Sequence, residues 1–212
     1  MILIDDSGSG SLIGGTIIGI MRIETNEYLY DIISLEYYFP ELFEKKIYLD
    51  QAVNIVSNLF KKLKVTQKEE ILVCRGYMFD KLRFWLKENN YTFTNTKIEE
   101  PLQSKIEKTF ENYTKSLGFP ERYISYTKYP FHFHRILRWV YADYDNRIKL
   151  CKTGWKSWQK YGNLPINISY TKLKKSKYIC LKCNKRIYDN SYVKVIQFTS
   201  NKPQKIYIHS EC

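Results

Sequence analysis

The chain is poor in glycine, proline and histidine, and it has no long hydrophobic segment. Its 212 residues include 9 glycines, 6 prolines and 3 histidines. No apolar run approaches the roughly 18 residues of a membrane-spanning helix. The N-terminus also lacks a basic stretch followed by a hydrophobic segment and a cleavage site. These absences argue against membrane and secreted proteins and predict a cytoplasmic protein without a membrane partner.

Several enzyme signatures are absent as well. The sequence has no Ser-His-Asp spacing, no Walker loop and no dinucleotide fingerprint, and it has no internal repeat or low-complexity tract. Its one glycine-rich segment leads from a predicted strand into another strand, whereas phosphate-binding loops lead into a helix N-terminus. The composition, 44% hydrophobic and 26% charged, is typical of a soluble globular protein and disfavours disorder, collagen and coiled coil.

Positive charge is concentrated in the last third of the chain. The whole chain has a net charge of +12. Residues 1–145 carry 19 basic and 20 acidic side chains, whereas residues 146–212 carry 15 basic and 2 acidic ones. A lysine-rich segment of this density favours a polyanionic partner, with nucleic acid ahead of membrane. A lysine bias of the genome or of growth temperature is the competing explanation.

The hydrophobic pattern of residues 1–118 predicts an α/β fold in the order β, β, β, α, β, α, β, α. Such an order builds a mixed sheet flanked by helices, with the first three strands antiparallel and the later ones parallel through right-handed crossovers. The predicted strands are 2–5, 12–22, 28–38, 70–74 and 91–98, and the predicted helices are 49–63, 79–87 and 106–117.

Two further segments are predicted after this core. Residues 119–170 are expected to form a basic, aromatic-rich helical extension, with a tyrosine-rich connection at 120–130 and a broken helix from His132 to about Trp158. Within it, Trp155 and Lys156 are candidate nucleic-acid contacts because aromatic rings stack on bases and lysines neutralise phosphates. The alternative is that the tryptophans anchor the helix to the core.

Residues 171–212 are predicted to form a basic linker and a small zinc-binding β module. Four metal-ligating residues follow the pattern C-x2-C-x25-H-x2-C, and two strands are expected between the two pairs. Three thiolates and one imidazole suit tetrahedral Zn²⁺ and leave no open coordination position, so the zinc is expected to be structural. The module resembles treble-clef and zinc-ribbon domains. The four ligands are Cys180, Cys183, His209 and Cys212.

The N-terminus combines acids with a glycine-rich loop. Asp5 and Asp6 end a short apolar strand, and Gly8, Ser9 and Gly10 follow. Carboxylates bind Mg²⁺ or Mn²⁺, and backbone N–H groups left open by small residues can hold a phosphate. An ordinary turn between two hairpin strands is the competing interpretation.

This segment resembles the opening of type 2 ribonucleases H, in which a strand runs into Asp-Glu-Ala-Gly-Arg-Gly and a further glycine. Residues 5–10 here are Asp-Asp-Ser-Gly-Ser-Gly, and Gly14 follows. The order of elements in residues 1–118 is likewise similar to the ribonuclease H-like fold. The resemblance implies that Asp5 and Asp6 bind catalytic metal ions. It also implies that Gly8, Ser9 and Gly10 contact the nucleic-acid backbone.

The resemblance further implies an acid at the end of the fourth strand, where this chain has Arg75. A two-metal hydrolase needs about three or four carboxylates, so other acids must complete the site. Glu99 closes the fifth strand and Glu107 lies on the third helix, and the predicted catalytic set is Asp5, Asp6, Glu99 and Glu107. Asp143 ranks below Glu107, and Arg75 becomes a candidate phosphate contact.

The sequence therefore predicts a Mg²⁺- or Mn²⁺-dependent nuclease that acts on RNA, DNA or a hybrid. Its zinc module would aid nucleic-acid binding. The first alternative is a nucleic-acid-binding protein that has the ribonuclease H-like fold and no catalytic activity. The second is an unrelated enzyme that carries a zinc-stapled protein-interaction module.

Overall fold

The computed structural model describes residues 1–125, 129 and 131–212. The chain divides into an N-terminal unit, Met1–Phe119, and a C-terminal unit, Pro120–Cys212. The predicted tyrosine-rich connection at 120–130 lies partly outside the described residues. In the part of the chain that is described, no helix is both long enough and apolar enough to cross a membrane.

The N-terminal unit contains five strands. They are β1 (Ile2–Ser7), β2 (Thr16–Arg22), β3 (Glu27–Ile33), β4 (Ile71–Cys74) and β5 (Phe93–Thr96). The α-helices of the same unit are α1 (Pro40–Glu44), α2 (Ile47–Leu63), α3 (Asp80–Glu88) and α4 (Leu102–Ser116). Two 3-10 helices, Leu35–Tyr38 and Tyr77–Phe79, connect β3 to α1 and β4 to α3.

These strands form one mixed sheet in the order β3-β2-β1-β4-β5. β1 pairs antiparallel with β2 and parallel with β4, and β4 pairs parallel with β5. The predicted mixed α/β sheet is therefore confirmed. One predicted strand, 28–38, ends early at Ile33. The chain then turns so that the buried Tyr38 hydroxyl can donate a hydrogen bond to Thr16 Oγ1 at 2.6 Å.

Helices cover both faces of this sheet. Alternate residues of β1 and β2, such as Ile4 and Ile18, pack in the core beneath α2 and α3. On the opposite face, α4 lies along β1 and β2, and Ile106 approaches Gly19 so closely that a Cβ there would lie 2.9 Å from its side chain. Each residue of β1 therefore faces one helical layer or the other.

The C-terminal unit combines short helices with a small sheet. The helices are α5 (Glu121–Ser125), α6 (Phe133–Tyr141), α7 (Tyr144–Arg147) and α8 (Lys156–Tyr161), with a 3-10 helix at Ile148–Leu150. The strands are β6 (Asn167–Leu173), β7 (Ser191–Thr199) and β8 (Pro203–His209), which form an antiparallel sheet in that order.

The start of the predicted linker belongs to this sheet. Residues 171–173 form the end of β6 and pair with Val193, Tyr192 and Ser191 of β7. The segment 168–173 alternates large side chains with serine and threonine, which is the period of a strand. Strand β6 thus crosses the predicted boundary between residues 170 and 171.

Candidate functional site

The four predicted metal ligands meet at one point in the C-terminal unit. One ligand atom from each of them lies within 4.8 Å of every other. Cys180 Sγ is 3.8 Å from Cys212 Sγ, and His209 Nδ1 is 3.2 Å from Cys183 Sγ and 3.9 Å from Cys212 Sγ. Three sulfurs and one imidazole nitrogen at these separations could hold a metal ion such as Zn²⁺.

The first ligand pair lies on a tight backbone turn. The Cys180 N–H donates to the Lys185 carbonyl at 2.9 Å, and the Asn184 N–H donates back to the Cys180 carbonyl at 2.8 Å. Asn184 has a φ of 65°, in the left-handed region that asparagine tolerates. This turn brings the side chains of Cys180 and Cys183 to the same side.

The second pair follows directly on β8. His209 is the last residue of the strand, and its N–H donates to Cys180 Sγ at 3.5 Å. Its Nε2 is 3.2 Å from the Arg186 carbonyl. If Nε2 carries the ring proton, it donates to this carbonyl, and Nδ1 is left unprotonated towards the cysteine sulfurs. A hydrogen bond from the second ring nitrogen to a backbone carbonyl is typical of histidines that bind a metal.

Arg147 supports the backbone turn that carries Cys180 and Cys183. It is only 8% exposed, and its guanidinium donates to the Leu181 and Lys182 carbonyls at 2.9 Å each and to the Trp139 carbonyl at 2.5 Å. The guanidinium also lies 4.0 Å from the centroid of the Trp139 ring. Burial lowers the pKa of Arg147. Arg147 therefore makes all of these contacts within the C-terminal unit.

The two N-terminal acids lie at the carboxyl end of β1, the central strand, and face opposite sides of the sheet. Ile4 packs in the core on the α2 side, so Asp5 faces α4 and Asp6 faces the α2 side. Consistent with this, a charge effect of Glu107 from α4 reaches Asp5, whereas the charge of Asp6 affects Tyr38 and Tyr77. The two carboxylates therefore serve one cation only if it lies at the strand end.

The environment of Asp5 disfavours its negative charge. Burial raises its pKa, and the negative charge of Glu107 adds to the increase. Hydrogen bonds from the Cys74 thiol and from the Asp6 N–H, at 2.9 Å from Oδ1, act in the opposite direction. The net effect is that the ionised form of Asp5 is disfavoured. A bound cation would relieve both causes.

Cys74 is a residue of this site that the sequence analysis did not identify. It is the residue beside Asp5 on the parallel strand β4, because Ile4 pairs with Val73. Its side chain is half-buried, and burial together with the charges of Asp5 and Asp6 raises its pKa to about 12. The parallel pairing of β1 with β4 was the signal that could have identified it.

The glycine-rich loop packs on α4. Gly8 has a φ of 89°, and a Cβ at this position would collide with the Phe110 ring. The N–H of Gly15 donates to the Tyr113 hydroxyl at 3.1 Å. Gly10, in contrast, is exposed and has open space around it. Packing thus accounts for the glycine at position 8, while position 10 remains available to a ligand, as does the half-buried Ser9.

The remaining predicted catalytic residues are Glu99 and Glu107. Glu99 is exposed, and its Oε1 is 3.1 Å from Lys97 Nζ. The carboxylate that affects Asp5 is that of Glu107, which also accepts a hydrogen bond from Gln103 at 3.2 Å. Within residues 1–125, 129 and 131–212, Cys180, Cys183, His209 and Cys212 form the compact group of three or more potential ligands, and the N-terminal acids form none.

The other candidate contacts are placed as follows. Arg75 is exposed directly after β4, and its N–H donates to the Thr96 carbonyl at 3.2 Å. Trp155 is half-buried at the N-terminal end of α8, and Lys156 is exposed beside it. Asp143 forms an ion pair with Lys182 at 3.4 Å in the C-terminal unit.

A basic and aromatic face of the small sheet was also missed by the sequence interpretation. Tyr170 of β6 pairs with Lys194 of β7, and Lys172 pairs with Tyr192. Tyr170 and Tyr192 are 62% and 63% exposed. All four side chains are on one face because their strand positions differ by two. We call these residues the tyrosine–lysine face. This face is created by the pairing of β6 with β7, which the sequence analysis did not predict because it assigned residues 171 onward to a linker.

No protein-family model matches this chain, and no curated protein matches it either.

Proposed function

We propose that the protein is a metal-dependent nuclease with a ribonuclease H-like N-terminal unit and a nucleic-acid-binding C-terminal unit. The N-terminal motif supports the first part, together with a mixed sheet whose first three strands are antiparallel and whose later strands are parallel. The separation of charge supports the second part. The N-terminal unit carries 15 basic and 17 acidic side chains, and the C-terminal unit carries 19 basic and 5 acidic ones.

The observation that carries the catalytic proposal is the placement of the partly buried Asp5 and Asp6 side by side at the end of the central strand. A half-buried carboxylate that faces Glu107 and lies next to Asp6 in sequence is an unfavourable arrangement unless a cation is bound. Asp5, Asp6 and Glu107 would hold Mg²⁺ or Mn²⁺. The cation would supply activation of water and stabilisation of the leaving oxygen of a phosphodiester.

In this proposal, groups of the loop after β1 and of the end of β4 would bind the phosphates of the substrate. The exposed backbone of Ser9 and Gly10 would contact a phosphate near the acids, since no side chain shields Gly10. Arg75, exposed at the end of the neighbouring strand β4, would neutralise an adjacent phosphate. Glu99, the fourth acid of the predicted set, is exposed and paired with Lys97, so it contributes no observation to this proposal.

In the C-terminal unit, the Cys3His group would hold a structural Zn²⁺. Four protein ligands complete a tetrahedral shell and leave no position for substrate. The metal would fix the end of β8 to the turn at Cys180, and so stabilise the sheet that carries the tyrosine–lysine face. Bases stack on exposed tyrosines and lysines neutralise the backbone, which suits a single strand. Trp155 and Lys156 would extend the contact.

The test of hydrolysis uses zinc-loaded full-length protein and labelled single-stranded RNA, single-stranded DNA and an RNA–DNA hybrid. With Mg²⁺ or Mn²⁺, we expect cleavage of at least one substrate by the wild type. The double variant D5N/D6N should lose at least about a hundredfold in rate, because a metal ion contributes several kcal/mol. Asp31→Asn, an exposed carboxylate of β3, is the matched control. Equal rates for wild type and D5N/D6N would show that the acids are not the site.

A nucleic-acid-binding protein without hydrolytic activity is the second candidate. Two observations favour it: Arg75 stands where the resemblance implies an acid, and the N-terminal acids form no compact ligand group among the described residues. Binding without cleavage in the same assay would support this candidate. Neither binding nor cleavage at low salt would leave the zinc module as a protein-interaction module.

Binding itself is tested by its salt dependence. Affinity for single strands falls with salt with a slope of about 0.7 per neutralised phosphate. The double variant K172Q/K194Q should therefore reduce the slope by about 1.4. The double variant K61Q/K62Q, which removes two exposed lysines from the last turn of α2, makes the same change in charge and should leave the slope unchanged. An equal effect of both variants would contradict a role for the tyrosine–lysine face.

A further inference from the structure

A cavity of the C-terminal unit lies between α6 and the turn at 200–202, and none of the four candidate metal ligands lines it. Its volume is about 540 Å³, within the range of roughly 300–1,000 Å³ for small-molecule sites. Residues from the first two turns of α6 form one wall, and the turn between β7 and β8 forms another. Neither the sequence motifs nor the proposed hydrolytic site involves this cavity.

The cavity is strongly positive. Arg135, Arg138 and Lys202 line it, and His132 and His134 lie beside them. None of the described residues that form its wall is acidic. The described residues of the wall thus bring three permanent positive charges together and include no carboxylate, and an anionic ligand reduces the repulsion between these charges. The chemistry of the wall therefore selects a negatively charged ligand.

The two arginines are held in place by neutral groups. Arg138 donates to Gln204 Oε1 at 3.3 Å and to the Lys205 carbonyl at 3.1 Å. Arg135 donates to the Tyr123 carbonyl at 3.1 Å, and its guanidinium lies 4.3 Å from the centroid of the Tyr123 ring. These contacts fix the orientation of both guanidinium groups without neutralising their charge. Preorganised guanidinium groups of this kind suit a phosphate, whose oxygens accept paired hydrogen bonds.

Two buried nitrogens of the same cluster lack partners. Arg135 Nε and His134 Nδ1 are shielded from solvent and make no hydrogen bond within the described part of the chain. Buried polar atoms without a partner are rare and costly. The Arg135 Nε–H group therefore lacks an acceptor within the described part of the chain, and an anionic oxygen is a suitable acceptor for it.

An aromatic wall completes the cavity. Tyr129 lines it and is 64% exposed, and Tyr123 lies on the other side of Arg135. An exposed tyrosine ring beside a phosphate site offers a surface on which a base can stack. Inorganic phosphate would leave most of a cavity of about 540 Å³ empty, whereas a nucleoside phosphate would fill more of it.

We propose that this cavity is a binding site for a nucleoside monophosphate, either free or as the phosphorylated end of a nucleic-acid strand. Arg135, Arg138 and Lys202 hold the phosphate, and the base stacks on Tyr129. The site lies in the C-terminal unit and does not depend on hydrolysis at Asp5.

Calorimetric titration of full-length protein with adenosine 5′-monophosphate and with adenosine tests the site, in the absence of Mg²⁺ and Mn²⁺. We expect the monophosphate to bind at least about tenfold more tightly, since its phosphate accepts charge-assisted hydrogen bonds that adenosine cannot form. Lys202→Gln should remove about tenfold of this affinity. Lys202 is exposed in a turn, so its replacement leaves the fold intact.

The matched control is Lys205→Gln, which removes the same charge from an exposed position of β8 outside the cavity wall. Equal binding of monophosphate and adenosine, or equal losses in K202Q and K205Q, would overturn the proposal. Short oligothymidylates with a 5′-phosphate or a 5′-hydroxyl then identify the source. A Lys202-dependent preference for the phosphorylated strand assigns the site to strand ends, and binding of the monophosphate alone assigns it to free nucleotides.

Discussion

The carboxylate of Asp5 is half-buried, accepts a hydrogen bond from the Cys74 thiol and is repelled by the negative charge of Glu107. Burial raises its pKa, so ionisation of this group costs the folded protein free energy above that pKa. Residues kept in an unfavourable state at a strand end are characteristic of functional sites rather than of a structural core. Replacement of Asp5 by a neutral residue should therefore raise the stability of the protein and lower its proposed activity.

Asp5→Asn should stabilise the protein at neutral pH when no divalent cation is present. A group whose pKa is raised on folding contributes most stability below its unfolded value, here 3.8, and loses it as the pH rises through the folded value. The advantage of the variant should thus be largest at neutral pH and vanish as the pH falls below about 3.8. Urea unfolding of variant and wild type at matched pH values measures it. A variant that is less stable at neutral pH would contradict the account of Asp5.

Gly8 and Gly10 offer a matched pair of substitutions in the loop that follows β1. Gly8→Ala places a Cβ in the Phe110 ring at a φ of 89°, and should lower the free energy of unfolding by about 1–3 kcal/mol. Gly10→Ala has open space and should change it by less than about 1 kcal/mol. Chemical denaturation of both variants tests this difference. Equal losses would mean that the loop does not pack on α4.

At the scale of elements, the turn that carries Cys180 and Cys183 depends on Arg147 from α7. Its guanidinium is the donor to three carbonyl groups, those of Trp139, Leu181 and Lys182. These contacts hold the backbone of the turn that carries two of the four candidate metal ligands.

Arg147→Met should destabilise the C-terminal unit by about 2–4 kcal/mol and speed the loss of Zn²⁺, because buried carbonyls lose their donors. Lys182→Gln removes an ion pair with Asp143 at the surface, and should cost less than about 1 kcal/mol. Denaturant unfolding and transfer of zinc to a chromophoric chelator measure the two effects. If R147M retained zinc as firmly as K182Q, the support assigned to Arg147 would be wrong.

Most elements of the N-terminal sheet could be predicted because each has its own periodicity. The helical spacing in α2 and the apolar runs of β1, β2 and β4 are local signals. The four candidate metal ligands could also be predicted, because each pair of ligands is close in sequence and a structural zinc ion needs four protein ligands. Their convergence at one point agrees with the predicted spacing.

The parts that the sequence did not predict depend on contacts between elements. Cys74 joins the acidic region only through the register of β1 with β4. The tyrosine–lysine face exists only because β6 pairs with β7, and its lysines suggested a linker when taken alone. Nothing in the sequence around Arg147 distinguishes it from a surface arginine, because its contacts with the Leu181 and Lys182 carbonyls form only in the folded structure. Pairing and burial of this kind are set by tertiary structure and leave no local pattern.

For the whole molecule, the net charge of +12 divides between the two units. The acids outnumber the bases slightly in the N-terminal unit, and the C-terminal unit holds the entire excess of positive charge. Such a division suits a protein in which one unit holds cations and the other attracts a polyanion. The basic side chains of the C-terminal unit repel one another, and a bound metal that ties β8 to the turn at Cys180 should contribute to the stability of this unit.

Removal of the metal should accordingly unfold part of the C-terminal unit and spare the N-terminal unit. Structural zinc contributes about 10–16 kcal/mol of apparent binding free energy, comparable with the roughly 5–15 kcal/mol of a whole domain. Hydrogen exchange of full-length protein, read by peptide with and without a chelator, should show loss of protection in residues 167–212 alone. Unchanged protection there would exclude a structural role for the metal.

The central claim is that the acids of β1 hold a divalent cation in a chain that also holds zinc. Titration of the zinc-loaded protein with Mn²⁺, followed by electron paramagnetic resonance, measures this directly. The account predicts that the wild type and Asp31→Asn bind Mn²⁺ while D5N/D6N does not, with zinc content equal in all three. Equal Mn²⁺ binding by the wild type and D5N/D6N would contradict it.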